Sequence, residues 1–210
     1  MLMPRTLLFD YDGVLVDSLE IFMQHFIDAC QNEGFHQIKD KASFLQLFDK
    51  NLYESMLTIG MSLEQILRIV TQVRDGLIRD HNKITLFPGI YDAIKQLVKE
   101  NVLMVVTSNE SSIVKSMLTS NGLTEFTDIY GSDKGGSKVN KIIKIKQQFP
   151  NSDIFYIGDT KGDIFEGRRA GITTIAVTWG WHNYSQLQAL HPDFLLDEPK
   201  QLIDVFSKKS

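Results

Sequence analysis

Asp10 and Asp12 stand two residues apart directly after the apolar run Leu7-Leu8-Phe9, in the segment Asp10-Tyr11-Asp12-Gly13-Val14. A carboxylate in an apolar setting is costly unless a cation or hydrogen bonds compensate it, so two of them past a core strand mark a site. More of the same chemistry follows in order. The run Leu103-Met104-Val105-Val106 leads into Thr107-Ser108-Asn109, and Ile154-Phe155-Tyr156-Ile157 leads into Gly158-Asp159, with Asp163 four residues on and Lys138 lying between the two runs. Converging carboxylates repel one another and carry raised pKa values unless a cation neutralises them. Within the set Asp10, Asp12, Asp159 and Asp163, oxygen donors from Asp10, Asp159 and a backbone carbonyl suit Mg²⁺; the lack of paired Cys or His at ligand spacing argues against zinc. Once positive charge lowers the repulsion, a carboxylate can attack phosphorus as a nucleophile.

These groups need a scaffold that gathers strand ends. Apolar runs bounded by turn residues occur at Thr6–Phe9, Val102–Val106, Asp128–Tyr130, Asp153–Ile157 and Thr173–Val177, with helical patterns between most of them. That alternation predicts an α/β fold: a Rossmann-like parallel sheet covered by helices, with ligands bound outside the carboxyl ends of the strands. Roughly 90 residues separate the first two strands, where a crossover needs only a dozen or so. The intervening sequence is helical in character: Leu19, Phe22, Phe26 and Cys30 recur at spacings of three and four, as do Ile66, Ile69, Val70 and Val73. The expected organisation is a catalytic core of residues 1–15 and 87–210 with a helical cap inserted at 16–86. Phe87-Pro88-Gly89 marks the return to the core.

The residues in this order resemble the haloacid dehalogenase superfamily of aspartate-nucleophile phosphohydrolases over nearly the whole chain. Asp10 to Val14 looks like its first motif, Thr107-Ser108-Asn109 its second, Lys138 its third and Gly158-Asp159 through Asp163 its fourth. Leu86-Phe87-Pro88-Gly89, Ala170-Gly171-Ile172, Ala176 to Gly180 and Pro192-Asp193-Phe194 look like the phosphoglycolate phosphatase-like branch, as does the placement of the cap. The resemblance implies a Mg²⁺-dependent phosphatase acting on a small phosphorylated metabolite of the 2-phosphoglycolate or sugar-phosphate type. Asp10 would carry the aspartyl-phosphate and Asp12 would serve as acid and then base. Thr107, Ser108, Asn109 and Lys138 would hold the phosphate, Asp159 would bind the metal, and Asp163 would act through water or by holding Lys138. The acid at Asp12 sets the chain apart from true dehalogenases.

Two details depart from the family pattern. No proline follows Lys138, which leaves Lys134 and Lys141 as substitutes for the third-motif lysine, and Val14 stands where Thr is frequent. Two alternative activities remain open on sequence grounds: a phosphosugar mutase of the β-phosphoglucomutase type, although its arginine-centred cap pattern is missing, and a non-catalytic phosphometabolite-binding regulator. A receiver-type domain would share acids at strand ends but would not need the cap.

Composition narrows the setting. In 210 residues, 43% hydrophobic and 23% charged, a net charge of −4 gives no electrostatic footprint for nucleic acid. Cys30, the single cysteine, reads as a packing residue and fits a reducing compartment. There is no charged-then-apolar leader and no apolar run of membrane-spanning length, so a cytoplasmic protein is expected. Lys208-Lys209-Ser210 reads as a frayed tail. The length of the cap favours small esters over macromolecular phosphates. Its candidate contacts are His36, Lys39, Lys41, Lys50 and Asn51, and His182 is placed on a loop near the site. Trp179 and Trp181 read as packing residues, and His25, His81 and His191 as structural ones without partners at useful spacing. Nothing in the sequence fixes the oligomeric state.

Overall fold

The structure, a computed structural model, describes residues 5–207; the leader Met1–Pro4 and the tail Lys208–Ser210 lie outside the described residues. In chain order the elements are β1 (Arg5–Phe9), β2 (Val16–Asp17), α1 (Leu19–Asn32), α2 (Lys41–Leu45), α3 (Leu52–Thr58), α4 (Leu63–Arg79), β3 (Thr85–Leu86), α5 (Ile90–Leu97), β4 (Asn101–Val106), α6 (Ser111–Ser120), β5 (Asp128–Tyr130), α7 (Lys138–Gln148), β6 (Ile154–Gly158), α8 (Lys161–Ala170), β7 (Thr173–Val177), α9 (Tyr184–Gln188), β8 (Phe194–Leu196) and α10 (Lys200–Phe206).

Six strands form one parallel sheet in the order β5-β4-β1-β6-β7-β8. The chain builds outward from β1 on one side and then returns to build on the other. That is the doubly wound arrangement, whose crevice lies where the direction reverses, beside β1 and β6. Leu7, Leu8 and Phe9 are all fully buried because β1 is central and covered on both faces, which is why it reads as a continuous apolar run. Leu7 and Phe9 pack with Ile90, Ile94, Val114 and Leu202 of α5, α6 and α10, while Leu8 packs with Ile142, Ile145 and Ala170 of α7 and α8. The register pairs Phe9 with Val105 of β4 and with Ile157 of β6, so these three strands end level with one another.

The sequence misses β8, and it misses the pairing of β2 with β3. The former is three residues long with Phe194 exposed, and the latter pairs only Val16 with Leu86 and Asp17 with Thr85. Neither is long enough to show periodicity. The β2–β3 pair joins the two ends of the helical insert at a narrow neck. Beyond it, α1 to α4 enclose a separate apolar cluster in which Phe26, Cys30, Phe44, Met56, Ile66 and Ile69 are almost completely buried. Cys30 is there as a packing residue, as expected. Helices α1 and α4 approach closely because Gly76 makes room for His25: a Cβ at Gly76 would lie 2.5 Å from the ring. His25 also finds the partner that its sequence neighbourhood lacked, with Nε2 at 2.9 Å from Asp80 Oδ2.

The insert's core is aromatic. Phe44 is surrounded by the rings of Phe22, Phe26, Phe48 and Trp181 at centroid separations of 5.9, 5.4, 5.1 and 5.5 Å. Phe44→Ala is therefore expected to cost about 3–5 kcal/mol of stability. Ile143→Ala, at a half-exposed helix position, should change it by about 0.5 kcal/mol or less. Urea unfolding of the two variants measures the contrast.

Candidate active site

The level ends of β1, β4 and β6 bring Asp10, Thr107 and Asp159 to one edge of the sheet, all three buried. Asp163 joins them from the first turn of α8. It is placed by a capping box: Thr160 Oγ1 accepts from the Asp163 amide, and Asp163 Oδ2 accepts from Thr160 N at 3.0 Å and Thr160 Oγ1 at 2.6 Å. Lys138, the first residue of α7, reaches across to donate to Asp10 Oδ2 at 2.7 Å and Asp163 Oδ1 at 2.9 Å. Tyr156 Oη donates to the same Asp163 oxygen at 2.9 Å. Carboxylate oxygens of Asp10, Asp159 and Asp163 all lie within 4.8 Å of one another.

The electrostatics follow from this crowding. Burial pushes the Asp10 carboxyl up to about 8, with Lys138 opposing the rise and Asp163 adding to it. Burial also drives Asp159 well above the usual carboxylate range, reinforced by Asp163 and Asp10. Asp163 is buried too, yet Lys138 and the donors on its two oxygens hold it below that range. Burial acts to lower Lys138, but Asp10 and Asp163 keep its ammonium well above its ordinary value.

The donor set fits a hard dication. Three carboxylates against one ammonium leave two negative charges to neutralise. Asp159 Oδ2 accepts from the Trp181 amide at 2.7 Å, while Asp159 Oδ1 is buried with no hydrogen-bond partner among the described residues. An unpaired buried carboxylate oxygen is costly unless a ligand takes it up. The approach to Asp159 is kept open by two glycines: a Cβ on Gly13, at φ +77°, would fall 1.9 Å from Asp159 Oδ2, and one on Gly180 would fall 2.4 Å from it. Asp159 Oδ1 is accordingly the oxygen without a partner, whereas the oxygens of Asp10 accept from the Tyr11 amide and Lys138 and those of Asp163 from Lys138, Tyr156 and Thr160.

Asp12 stands beside this cluster. Its carboxylate does not join the cluster: Oδ1 accepts from Ser18 Oγ at 2.7 Å and Oδ2 from Asn109 Nδ2. It lines the cavity, and burial raises its pKa while the hydrogen bonds from Ser18 and Asn109 oppose the rise. Asn109, read as a phosphate contact, lines the cavity but directs its side-chain amide at Asp12. Thr107 and Ser108 also line it. The three candidate lysines are placed differently. Lys134 Nζ pairs with Asp128, and Lys141, buried behind the site, donates to the Thr107 carbonyl at 2.9 Å. Lys138 alone of the three contacts the acids.

Above this floor lies a cavity of about 160 Å³ roofed by the insert. Of the expected cap contacts, Lys50 and Asn51 line it, while His36, Lys39 and Lys41 do not, and Lys41 pairs with Glu20 at 3.2 Å. Arg74 and His81 line it without having been singled out for it. His182 is not in the cavity but buried beneath the seam between insert and core. Its Nδ1 accepts from the Lys161 amide at 3.0 Å, so the neutral ring carries its proton on Nε2, 3.3 Å from the Leu45 carbonyl oxygen. The same seam holds Lys161 against Asp49 at 2.8 Å, Asn51 against Glu166 at 2.9 Å, and Gly162 where a Cβ would meet the Lys50 carbonyl oxygen at 2.6 Å. Ser18, Tyr156 and Trp181 act in the site without any sequence signal. Each contributes through a contact that only the fold creates.

Comparison with known proteins places the arrangement among relatives. A family model described as haloacid dehalogenase-like hydrolase matches residues 7–177. A phosphoglycolate phosphatase of Synechococcus elongatus is 26% identical, the alignment covering 97% of this chain and 98% of that protein. The pyrophosphatase PpaX of Oceanobacillus iheyensis is 25% identical, with 96% of each covered. Among solved structures, a haloacid dehalogenase-like family hydrolase from Streptococcus pneumoniae superposes with a TM-score of 0.79 at 26% identity, covering 97% of this chain and 99% of the other.

The glycine gap beside Asp159 yields a test. Gly180→Ala inserts a methyl group against that carboxylate and the Gly13 carbonyl oxygen, and is expected to lower Mg²⁺ affinity about tenfold or more. Calorimetric titration measures the loss, and a cooperative thermal transition in the variant shows that the fold is kept.

Proposed function

The chain belongs to the haloacid dehalogenase-like hydrolases, and from that membership together with the site's geometry we propose that it is a Mg²⁺-dependent phosphatase. On this reading it hydrolyses a small phosphate monoester through an aspartyl-phosphate on Asp10, beneath a cap formed by residues 16–86. The observation that supports it most is the division of labour between two acids two residues apart. Asp10 is held by Lys138 and the Tyr11 amide, which donates to Oδ1 at 2.8 Å. Asp12 stands apart from the cluster with its oxygens accepting from Ser18 and Asn109, and burial raises its pKa. A pure phosphate binder has no use for that second acid.

In the first step a carboxylate oxygen of Asp10 forms a bond to phosphorus as the bond to the ester oxygen breaks, and Asp12 gives its proton to the departing alkoxide. In the second, the Asp12 carboxylate takes a proton from water as that water attacks the phosphorus. The acyl–phosphate bond to Asp10 breaks, phosphate leaves and Asp12 is again protonated. Thr107 and Ser108 hold the phosphoryl oxygens, and Lys138 carries charge shared between nucleophile and phosphate. Mg²⁺ bound by Asp10 and Asp159 would neutralise negative charge that otherwise repels the phosphate. The cap excludes bulk water from the cavity.

Phosphate release from a panel of 2-phosphoglycolate, sugar phosphates and pyrophosphate tests the reading. Activity is expected to require Mg²⁺, to vanish with EDTA and to be lost in Asp10→Asn; a variant keeping more than about a tenth of the wild-type rate would exclude attack by Asp10. Asp12→Asn is expected to lower kcat by about 10²–10⁴-fold while leaving phosphate binding intact. Lys138→Met should abolish turnover. Lys141→Met should act chiefly on stability, since Lys141 is bonded to a backbone carbonyl behind the site.

A further inference from the structure

Three buried side-chain atoms lack a hydrogen-bond partner among the described residues: Asp159 Oδ1, the Tyr11 hydroxyl and the Trp181 indole N–H. All three belong to residues that line the cavity over Asp10. Asp159 Oδ1 is accounted for by the cation site, whereas the two side-chain donors have no part in the chemistry described above. A buried polar group without a partner is costly, and its retention points to something that comes to meet it.

The surrounding packing offers neither donor an acceptor. The Trp181 backbone amide is tied to Asp159 Oδ2 at 2.7 Å, and the indole is held among the rings of Phe22, Phe44 and Phe48 at centroid separations of 5.3, 5.5 and 4.8 Å. An indole N–H can only donate, and these rings carry no oxygen to receive it. Tyr11 is buried in the core cluster with Val14, Leu15, Ile84 and Ile90, and its hydroxyl has no partner whichever way the proton turns. Polar side chains elsewhere on the cavity wall are already engaged: Asn51 Nδ2 donates to Glu166 Oε1 at 2.9 Å, and Arg74 donates to Asp75 Oδ1 at 3.0 Å. The missing acceptor therefore has to come from the contents of the cavity.

We propose that Tyr11 and Trp181 are specificity-determining residues, whose hydroxyl and indole N–H donate to a carbonyl-type oxygen on the organic half of the substrate. This rests on the phosphatase reading, which sets the phosphate at Asp10 and leaves the organic half to meet the walls. The cavity volume of about 160 Å³ has to take the phosphate as well, so the organic half is small and its oxygen stands close to the ester linkage. A hydrocarbon in the same place would leave both donors unmet, and a site built around hydrogen-bond donors rejects analogues lacking the matching atom.

The test uses two phosphonates whose carbon–phosphorus bonds resist hydrolysis, titrated calorimetrically into the protein with Mg²⁺. 3-Oxobutylphosphonate and 3-methylbutylphosphonate carry the same charge and differ by an oxygen in place of a methyl group. The wild-type protein is expected to bind the ketone about tenfold or more tightly, although the methyl analogue is the more hydrophobic. Tyr11→Phe and Trp181→Phe each remove a donor and keep a ring, and each is expected to narrow that ratio to about threefold or less. Tyr11→Phe deletes an oxygen that has no partner in the free protein, so its thermal midpoint is expected to stay within about 3 °C of the wild type or to rise, which a hydroxyl with a structural role would not allow. Equal affinity for the two phosphonates in the wild type, or a ratio that survives either substitution, overturns the assignment; should Trp181→Phe not fold, Tyr11→Phe carries the test. Phosphate release from acetonyl phosphate and isobutyl phosphate is followed in parallel. If the binding preference holds but neither ester is hydrolysed, the phosphatase reading fails and the two donors keep their role. If the esters are hydrolysed without the preference, the assignment of the donors fails alone.

Discussion

Asp10, Asp159 and Asp163 are buried within 4.8 Å of one another around a single lysine ammonium, an arrangement that is unfavourable in isolation and that every neighbouring element is shaped to support. Buried like charges raise one another's pKa and are tolerated only when each finds a partner. Asp163 finds four donors, from Lys138, Tyr156 and Thr160 twice. Asp10 finds Lys138 and its neighbour's amide, and Asp159 finds the Trp181 amide on one oxygen and nothing on the other. The residual imbalance is concentrated at Asp159 Oδ1, on a carboxylate that Gly13 and Gly180 approach closely on its other oxygen. A charge deficit confined to a rigid strand edge is a site for a cation rather than a general instability.

The insert depends on the same edge. Trp181 supplies its backbone amide to Asp159 and its indole to the aromatic cluster of the insert, with Phe48 at 4.8 Å and Phe22 at 5.3 Å between ring centroids. Residues 45–51 lie on the start of α8, the helix that also carries Asp163, and the seam is sealed by His182, by the Asn51–Glu166 bond and by the absence of a side chain at Gly162. Exposed ion pairs such as Lys161–Asp49 add little to its stability, so the aromatic packing and buried hydrogen bonds set how firmly the roof sits.

Much of this was legible before the fold was known. Five of the six strands of the large sheet are visible as apolar runs, and α1 and α4 as spacings of three and four, because burial on both faces of a strand or one face of a helix is written into consecutive residues. The strand-end positions of Asp10, Thr107 and Asp159 were equally plain. The short strands β2, β3 and β8 carry too few residues to show a period. Lys138 could not be separated from Lys134 and Lys141 by spacing, since all three lie within one short stretch and differ only in the direction each side chain takes. The cap contacts were sought among polar residues, whereas its cavity wall is made chiefly of residues that periodicity assigns to a core.

The sequence by itself determined which residues end the strands and in what order the acids, the hydroxyl and the lysine are delivered, because strand position and polarity are local properties of the chain. The tertiary structure alone decided that Asp12 stands apart from the other acids and that Trp181 joins site to roof. Ser18 at the start of the insertion and Asn109 after β4 meet at Asp12, and Trp181 reaches Asp159 across 22 residues. Such contacts are fixed by how whole elements pack, and no local pattern encodes the direction of a side chain relative to an element so distant in the chain.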